Sequence, residues 1–218
     1  MRSRALAVFI GVSGLIACPA IWAVMAHDKL DLHLSVNKVV VGVADRFFRW
    51  ITHAGDGMVP TLISCSLLVL GSWRSFLFMA MSNSLGGLIA QLLKRQVFGE
   101  CDRPVEFLAE MPGLNVVQGV ELHHHLSFPS GHATAAFSMC MAMAVLLNRV
   151  GWAALLAVLA SFIAFSRVYL SQHFTEDILA GAAIGVFSCT VSYVLLYRSK
   201  WAQRPWIDRR PIAWHGRG

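Results

Sequence analysis

SRVYLSQHFTED, residues 166–177, is a polar junction between two long apolar runs, 151–168 and 178–197. Each run approaches the ~20 residues that carry a helix across a bilayer. The pair therefore reads as a helical hairpin turned at a membrane surface. Working outward, four more runs have the same character: 5–26, 57–73, 76–93 and 130–148. Across all 218 residues, 56% are hydrophobic and 14% charged, with mean hydropathy +0.60. A soluble domain carries about a quarter charged residues. The expected fold class is all-α: a polytopic membrane protein, a six-transmembrane-helix bundle forming one domain over residues 1–218.

Charge sets the expected orientation. With both termini cytoplasmic, the inner segments hold ten of the 18 basic residues and a single acid, Asp208. The outer segments hold the other eight bases with eleven acids. The net charge of +6 thus follows from topology and calls for no nucleic-acid partner. Leu15-Ile16-Ala17-Cys18 resembles a lipoprotein cleavage box, but the apolar run continues through Val24, so the segment reads as span one. The five cysteines are scattered, four of them inside spans, and offer no disulfide framework.

The connecting segments are uneven in content. Between residues 36 and 52, Val36, Val39, Val40, Val43, Phe47, Trp50 and Ile51 recur at helical period opposite Lys38, Asp45, Arg49 and Thr52. This pattern predicts an interfacial amphipathic helix. Gly55-Asp56-Gly57 reads as a solvated turn opening span two, with Asp56 within reach of an outer-face site. In span three, Asn83, Gly87, Ala90, Gln91 and Lys94 fall in one sector at 100° per residue, a stripe expected to face the bundle interior. The long outer loop, 96–128, carries Arg103-Pro104 and the triplet His123-His124-His125 beside Glu121. Consecutive loop histidines rarely converge on one ion, so these read as polar loop residues. The basic tail, 198–218, reads as a flexible cytoplasmic segment on anionic lipid.

The junction also carries chemistry. His173 and Asp177 are four apart, on one helix face, so the carboxylate can hold one imidazole nitrogen and leave the other free to attack an electrophile. Arg167 adds a planar cation suited to phosphate. Pro129-Ser130-Gly131-His132 enters span four as an N-cap whose exposed N–H groups form an anion seat. Lys94 and Arg103 complete an outer-face group of Lys94, Arg103, Ser130, Gly131, His132, Arg167, His173 and Asp177.

On the motifs Lys94…Arg103-Pro104, Pro129-Ser130-Gly131-His132 and Ser166-Arg167…His173…Asp177, the chain resembles the type-2 phosphatidic acid phosphatase superfamily of membrane lipid phosphatases. The likeness covers about residues 55–195. Eight residues separate the lysine from Arg103-Pro104 where the family usually has six, which leaves Arg95 as the other candidate for the lysine position. The resemblance implies that His173 attacks phosphorus and becomes a phosphohistidine, oriented by Asp177. His132 then protonates the leaving group and activates water. Lys94, Arg103, Ser130, Gly131 and Arg167 hold the phosphoryl oxygens. It implies no cofactor and no metal, a phosphorylated lipid as substrate, membrane lipids as neighbours, and an extracytoplasmic site in a bacterial inner membrane. Undecaprenyl diphosphate, phosphatidylglycerophosphate, phosphatidic acid and a lipid A phosphate all fit, and oligomeric state is open. A lipid-to-lipid phosphotransferase and a non-catalytic lipid transporter are the rival readings.

Overall fold

The computed structural model describes residues 2–37 and 42–211. Its centre is a helix rich in small residues, α6 (Gly131–Leu147), buried along most of its length. Around it pack α5 (Trp73–Leu92), α7 (Val150–Tyr169) and α8 (Thr175–Tyr193), and α1 (Arg2–Ala26) lies outside against α7. In lipid, helices associate through close packing because the solvent is as apolar as their side chains. The α6–α8 contact shows this directly. A Cβ on Gly181 would sit 2.4 Å from the carbonyl oxygen of Ser130, and one on Gly185 would sit 2.7 Å from that of Thr134. Only glycine lets the two backbones meet there. The outward faces carry exposed Leu15, Trp22, Leu155 and Phe187, as lipid-facing surfaces do.

Length and composition support four membrane-spanning helices among the described residues: Arg2–Ala26, Trp73–Val97, Val150–Tyr169 and Thr175–Arg198. A fifth appears if α3 (Gly42–Ile51), with the 3-10 turn Thr52–Gly55, and α4 (Met58–Leu70) are counted as one span bent by 51°. The expected count of six is thus not reached on length. At 1.5 Å per residue, α4 alone reaches about 20 Å of the ~30 Å core. α6 is apolar but only 17 residues long.

The predicted amphipathic helix over 36–52 is divided. α2 (Lys29–Asn37) and α3 fall on either side of residues 38–41, so Lys38, Val39 and Val40 lie outside the described residues. Within α3, Phe48 is buried with its ring tilted against Tyr169, centroids 4.4 Å apart, while Val43, Phe47 and Trp50 are exposed. Two of its polar side chains nonetheless bond to protein. Asp45 accepts a hydrogen bond from the Tyr169 hydroxyl at 2.7 Å, and Arg49 donates to the Gln118 carbonyl.

Two further expectations change. The inward line of α5 is Phe78, Ser82, Gly86, Ala90 and then Lys94, whereas Gly87 and Gln91 are exposed. The buried line steps by four residues and so drifts around the helix, which ends in a π-helical turn, Leu93–Val97, so a fixed sector of a straight 100° wheel misplaces the buried face. The tail is docked as far as residue 211. Arg74 grips the Asp208 carboxylate through Nε (2.6 Å) and Nη2 (2.7 Å), donates to the carbonyls of Leu196 and Ala202, and Ile207 is fully buried. Residues 212–218 lie outside the described residues.

Candidate active site

The hairpin between α7 and α8 holds the centre of the site. α7 ends at Tyr169, and the chain reverses through Ser171 in the left-handed region (φ 51°). The backbone N–H groups of Gln172 and His173 both donate to the Arg167 carbonyl, at 2.8 and 3.1 Å. This closed turn fixes where His173 leaves the backbone. Asp177 lies in the first turn of α8, where Oδ2 accepts the Phe174 N–H at 2.9 Å. An anion is favoured at a helix N-terminus. The same oxygen meets His173 Nδ1 at 3.3 Å and accepts from Ser127 Oγ at 2.5 Å. Held as a donor at Nδ1, the His173 ring presents an unprotonated Nε2. Burial pushes His173 well below the usual histidine range, and Arg103, Lys94, Arg167 and His132 add to this. The ring is therefore neutral, as a nucleophile must be.

The cations that press on His173 come from three elements. Lys94, on the π-helical turn, is buried, whereas Arg95 is exposed. The lysine thus sits beside Arg103, Arg167 and Asp177. Arg103 donates from Nε to the His125 carbonyl at 2.9 Å and from Nη1 to the Gln172 carbonyl at 3.0 Å. Arg167 donates from Nη1 to Thr52 Oγ1 at 2.8 Å. Gln172 Oε1 accepts from both guanidinium groups, at 3.3 Å each, and so sets their spacing. The buried Nε of Arg167 has no protein partner. A buried donor without a partner is costly.

The third segment arrives beneath α8. The Ser130 N–H donates to the Asp177 carbonyl at 3.0 Å, and Ser130 Oγ accepts from the Ala133 N–H at 3.4 Å as the N-cap of α6. A Cβ on Gly131 would have nothing within 4 Å, so its backbone borders open space. His132 follows in the first turn with its side chain 28% exposed. It lines a cavity of about 260 Å³ together with Thr52, Asp56, Arg167 and Gln172. All eight residues anticipated from sequence thus gather around the hairpin.

Several contributors escaped the sequence. Asp56, read as a solvated turn, hydrogen-bonds through Oδ1 to His132 Nε2 at 2.7 Å. Thr52, Ser127 and Gln172 hold candidate residues by the contacts just given. On α2, Asn37 Nδ2 donates to the Val168 carbonyl at 3.2 Å, while His33 Nε2 lies 3.3 Å from Ser171 Oγ and its ring packs edge-on to Phe174. Both brace the hairpin from outside. The histidine triplet disperses: His124 pairs with Glu106, His125 Nδ1 lies 2.7 Å from Asp102, and His123 lines the cavity.

Comparison with known proteins places these features in a wider group. The PAP2 superfamily model matches residues 73–201, a segment that holds all eight anticipated residues. The chain is 40% identical over 76 residues to the putative undecaprenyl-diphosphatase YbjG of Escherichia coli, covering 34% of this chain and 38% of that protein. It is 23% identical over 154 residues to undecaprenyl-diphosphatase BcrC of Bacillus subtilis, covering 67% and 73%. It is 32% identical over 143 residues to decaprenylphosphoryl-5-phosphoribose phosphatase of Mycobacterium tuberculosis, covering 63% and 72%. The match to the Escherichia coli protein thus spans well under half of that relative. Among solved structures, Aquifex aeolicus LpxE superposes with a TM-score of 0.65 at 23% identity over 78% of this chain and 97% of that one, which establishes a shared fold.

Proposed function

The chain belongs to the PAP2 superfamily, and from that premise we propose that it is a membrane lipid phosphatase working through a phosphohistidine. The observation that carries this reading is the buried His173–Asp177 pair, joined at 3.3 Å and ringed by Lys94, Arg103 and Arg167. Phosphoryl transfer asks a protein mainly for positioning and charge neutralisation. Lys94, Arg103, Arg167, Ser130 and the Gly131 N–H hold the phosphoryl oxygens, and the unpartnered Arg167 Nε takes one of them. His173 Nε2 attacks phosphorus as the bond to the leaving oxygen breaks, and His132 gives that oxygen a proton. A water then attacks the phosphohistidine and passes a proton to His132, while the P–N electron pair returns to His173. The cycle leaves both rings as they began.

The site opens at the extracytoplasmic surface of a six-span bundle in a bacterial inner membrane, with the termini cytoplasmic. The charge asymmetry of the loops supports this orientation, and the apolar outward faces support the bilayer. In the six-span reading, α4 and α6 cross as short spans. The substrate is a polyprenyl phosphate or diphosphate, a reading supported by the polyprenyl activities named for three relatives. Phosphate release by the purified protein from a polyprenyl diphosphate, a phosphatidylglycerophosphate and a phosphatidic acid tests it. Fastest release from the polyprenyl diphosphate is expected. No release from any of the three, or phosphate passing only to an added acceptor lipid, would contradict it.

A further inference from the structure

The 3-10 turn Thr52–Gly55 and the aspartate after it lie outside the segment that matches the superfamily, yet they clasp two residues of the site. Thr52 takes Arg167, and Asp56 takes His132. The close fit needs glycine at 55, where a Cβ would meet the His132 carbonyl oxygen at 3.2 Å and Ile163 Cγ2 at 2.9 Å. Asp56 is itself held from behind, with Oδ2 3.1 Å from His53 Nδ1 and its N–H donating to the His53 carbonyl at 3.1 Å. Exposure is graded along the line: the side chains of His132, Asp56 and His53 are 28%, 37% and 65% exposed. The result is a carboxylate fixed between an inner imidazole and an outer one.

We infer that Asp56 is the positioning and charge partner of His132, which it orients through Nε2 and steadies as an imidazolium while the proton moves at Nδ1. The inference rests on the phosphatase reading above. Its physical basis is local charge. His132 faces Arg167 on α7, Arg103 on the outer loop and the His173 ring, with Lys94 beyond that ring, and Arg49, His53, Glu121 and His123 line the same cavity. A further positive charge beside these fixed guanidinium groups is disfavoured. Asp56 is the anion in hydrogen-bond contact with the ring. When the bond from phosphorus to the leaving oxygen breaks, the electron pair stays on that oxygen, which takes the Nδ1 proton. The ring becomes neutral with its Nε2 proton still on Asp56. In the second half-reaction the proton of the attacking water restores Nδ1–H, and the carboxylate again balances the charge.

The test compares full-length wild type, Asp56→Asn, Asp56→Glu and His132→Ala in detergent on an alkyl phosphate, a poor leaving group, and on p-nitrophenyl phosphate, a good one. General acid catalysis contributes about 10²–10⁴-fold, so Asp56→Asn is expected to lower kcat/KM, which reports only the first half-reaction, on the alkyl phosphate by about 100-fold. On p-nitrophenyl phosphate, which leaves without a proton, the expected loss is under about fivefold. The alkaline limb of the pH–rate profile moves to lower pH in Asp56→Asn, and Asp56→Glu restores part of the difference. A change in packing alone would lower both substrates equally and leave the limb in place. If Asp56→Asn yields no folded protein, the ratio of the two substrates in Asp56→Glu decides: a ratio identical to wild type, with both rates reduced together, overturns the inference. If His132→Ala discriminates between leaving groups and Asp56→Asn does not, the Asp56 assignment alone fails. If His132→Ala itself shows no discrimination, the role given to His132 fails first.

Discussion

Ser127 Oγ donates to Asp177 Oδ2 at 2.5 Å, with both residues buried and fifty positions apart in the chain. The contact ties the long outer loop to the carboxylate that orients His173. It leaves the Asp177 oxygen a fixed acceptor from three directions, the others being the Phe174 N–H and His173 Nδ1. A nucleophile whose orienting group is itself oriented needs little rearrangement when the phosphate arrives.

Ser127→Ala removes that contact and leaves the carboxylate under-satisfied in a buried place. A hydrogen bond to a charged group contributes about 1.5–3 kcal/mol, so kcat is expected to fall by roughly 10-fold or more. The same loss is expected to lower the thermal midpoint by several degrees, about 2–4 °C per kcal/mol for a chain of this size. Steady-state kinetics alongside a melting curve checks both, and an unchanged kcat would remove Ser127 from the site.

Lys94 and Arg95 are adjacent but face differently, buried and exposed respectively. Lys94→Ala is expected to lower kcat/KM by about 10²–10³-fold, the usual loss when one preorganised charge-stabilising group is removed. Arg95→Ala is expected to stay within about twofold of wild type, as exposed substitutions do. The reverse ranking, measured on the same lipid phosphate, would return the first-motif position to Arg95.

His33 sits on α2, outside the spanning helices, and burial lowers its pKa to about 4, with Asp177 opposing and Lys29 reinforcing. Between pH 6.5 and about 4 the unfolded chain binds a proton there that the folded chain refuses. Stability from this group is thus fully present above that window and declines as the pH falls through it, by roughly 3 kcal/mol in total. Wild-type thermal midpoints are expected to drop more steeply on acidification than those of His33→Gln. Parallel curves for the two proteins would contradict the assignment.

What the sequence disclosed followed local rules. Ser130 caps α6 as its residue type and position suggest. His173 and Asp177 do meet, but not on one helix face as expected: α8 begins at Thr175, so His173 lies in the turn before it, and the pair closes because that turn folds onto the Arg167 carbonyl while Asp177 reaches back to the Phe174 N–H. Contacts set by tertiary packing were not legible. Asp56 and His132 are separated by 76 positions, and Gly55-Asp56-Gly57 looks the same in sequence whether solvated or clasped against another helix. Arg74 and Asp208, 134 apart, dock a tail that composition alone reads as loose. On α3, Phe47 and Phe48 are adjacent aromatics, and Tyr169 decides which of them packs inward. The six-span count relied on apolar length at 57–73, where the helix itself ends at Leu70.

The central claim is covalent: phosphate passes through His173. Rapid acid-free quenching of the protein with radiolabelled polyprenyl diphosphate, followed by proteolysis, tests it most directly. The account predicts an acid-labile, base-stable label on the peptide containing His173, absent from His173→Ala and longer-lived in His132→Ala. Turnover with no trapped label in His132→Ala, or label on a peptide that lacks His173, would contradict it.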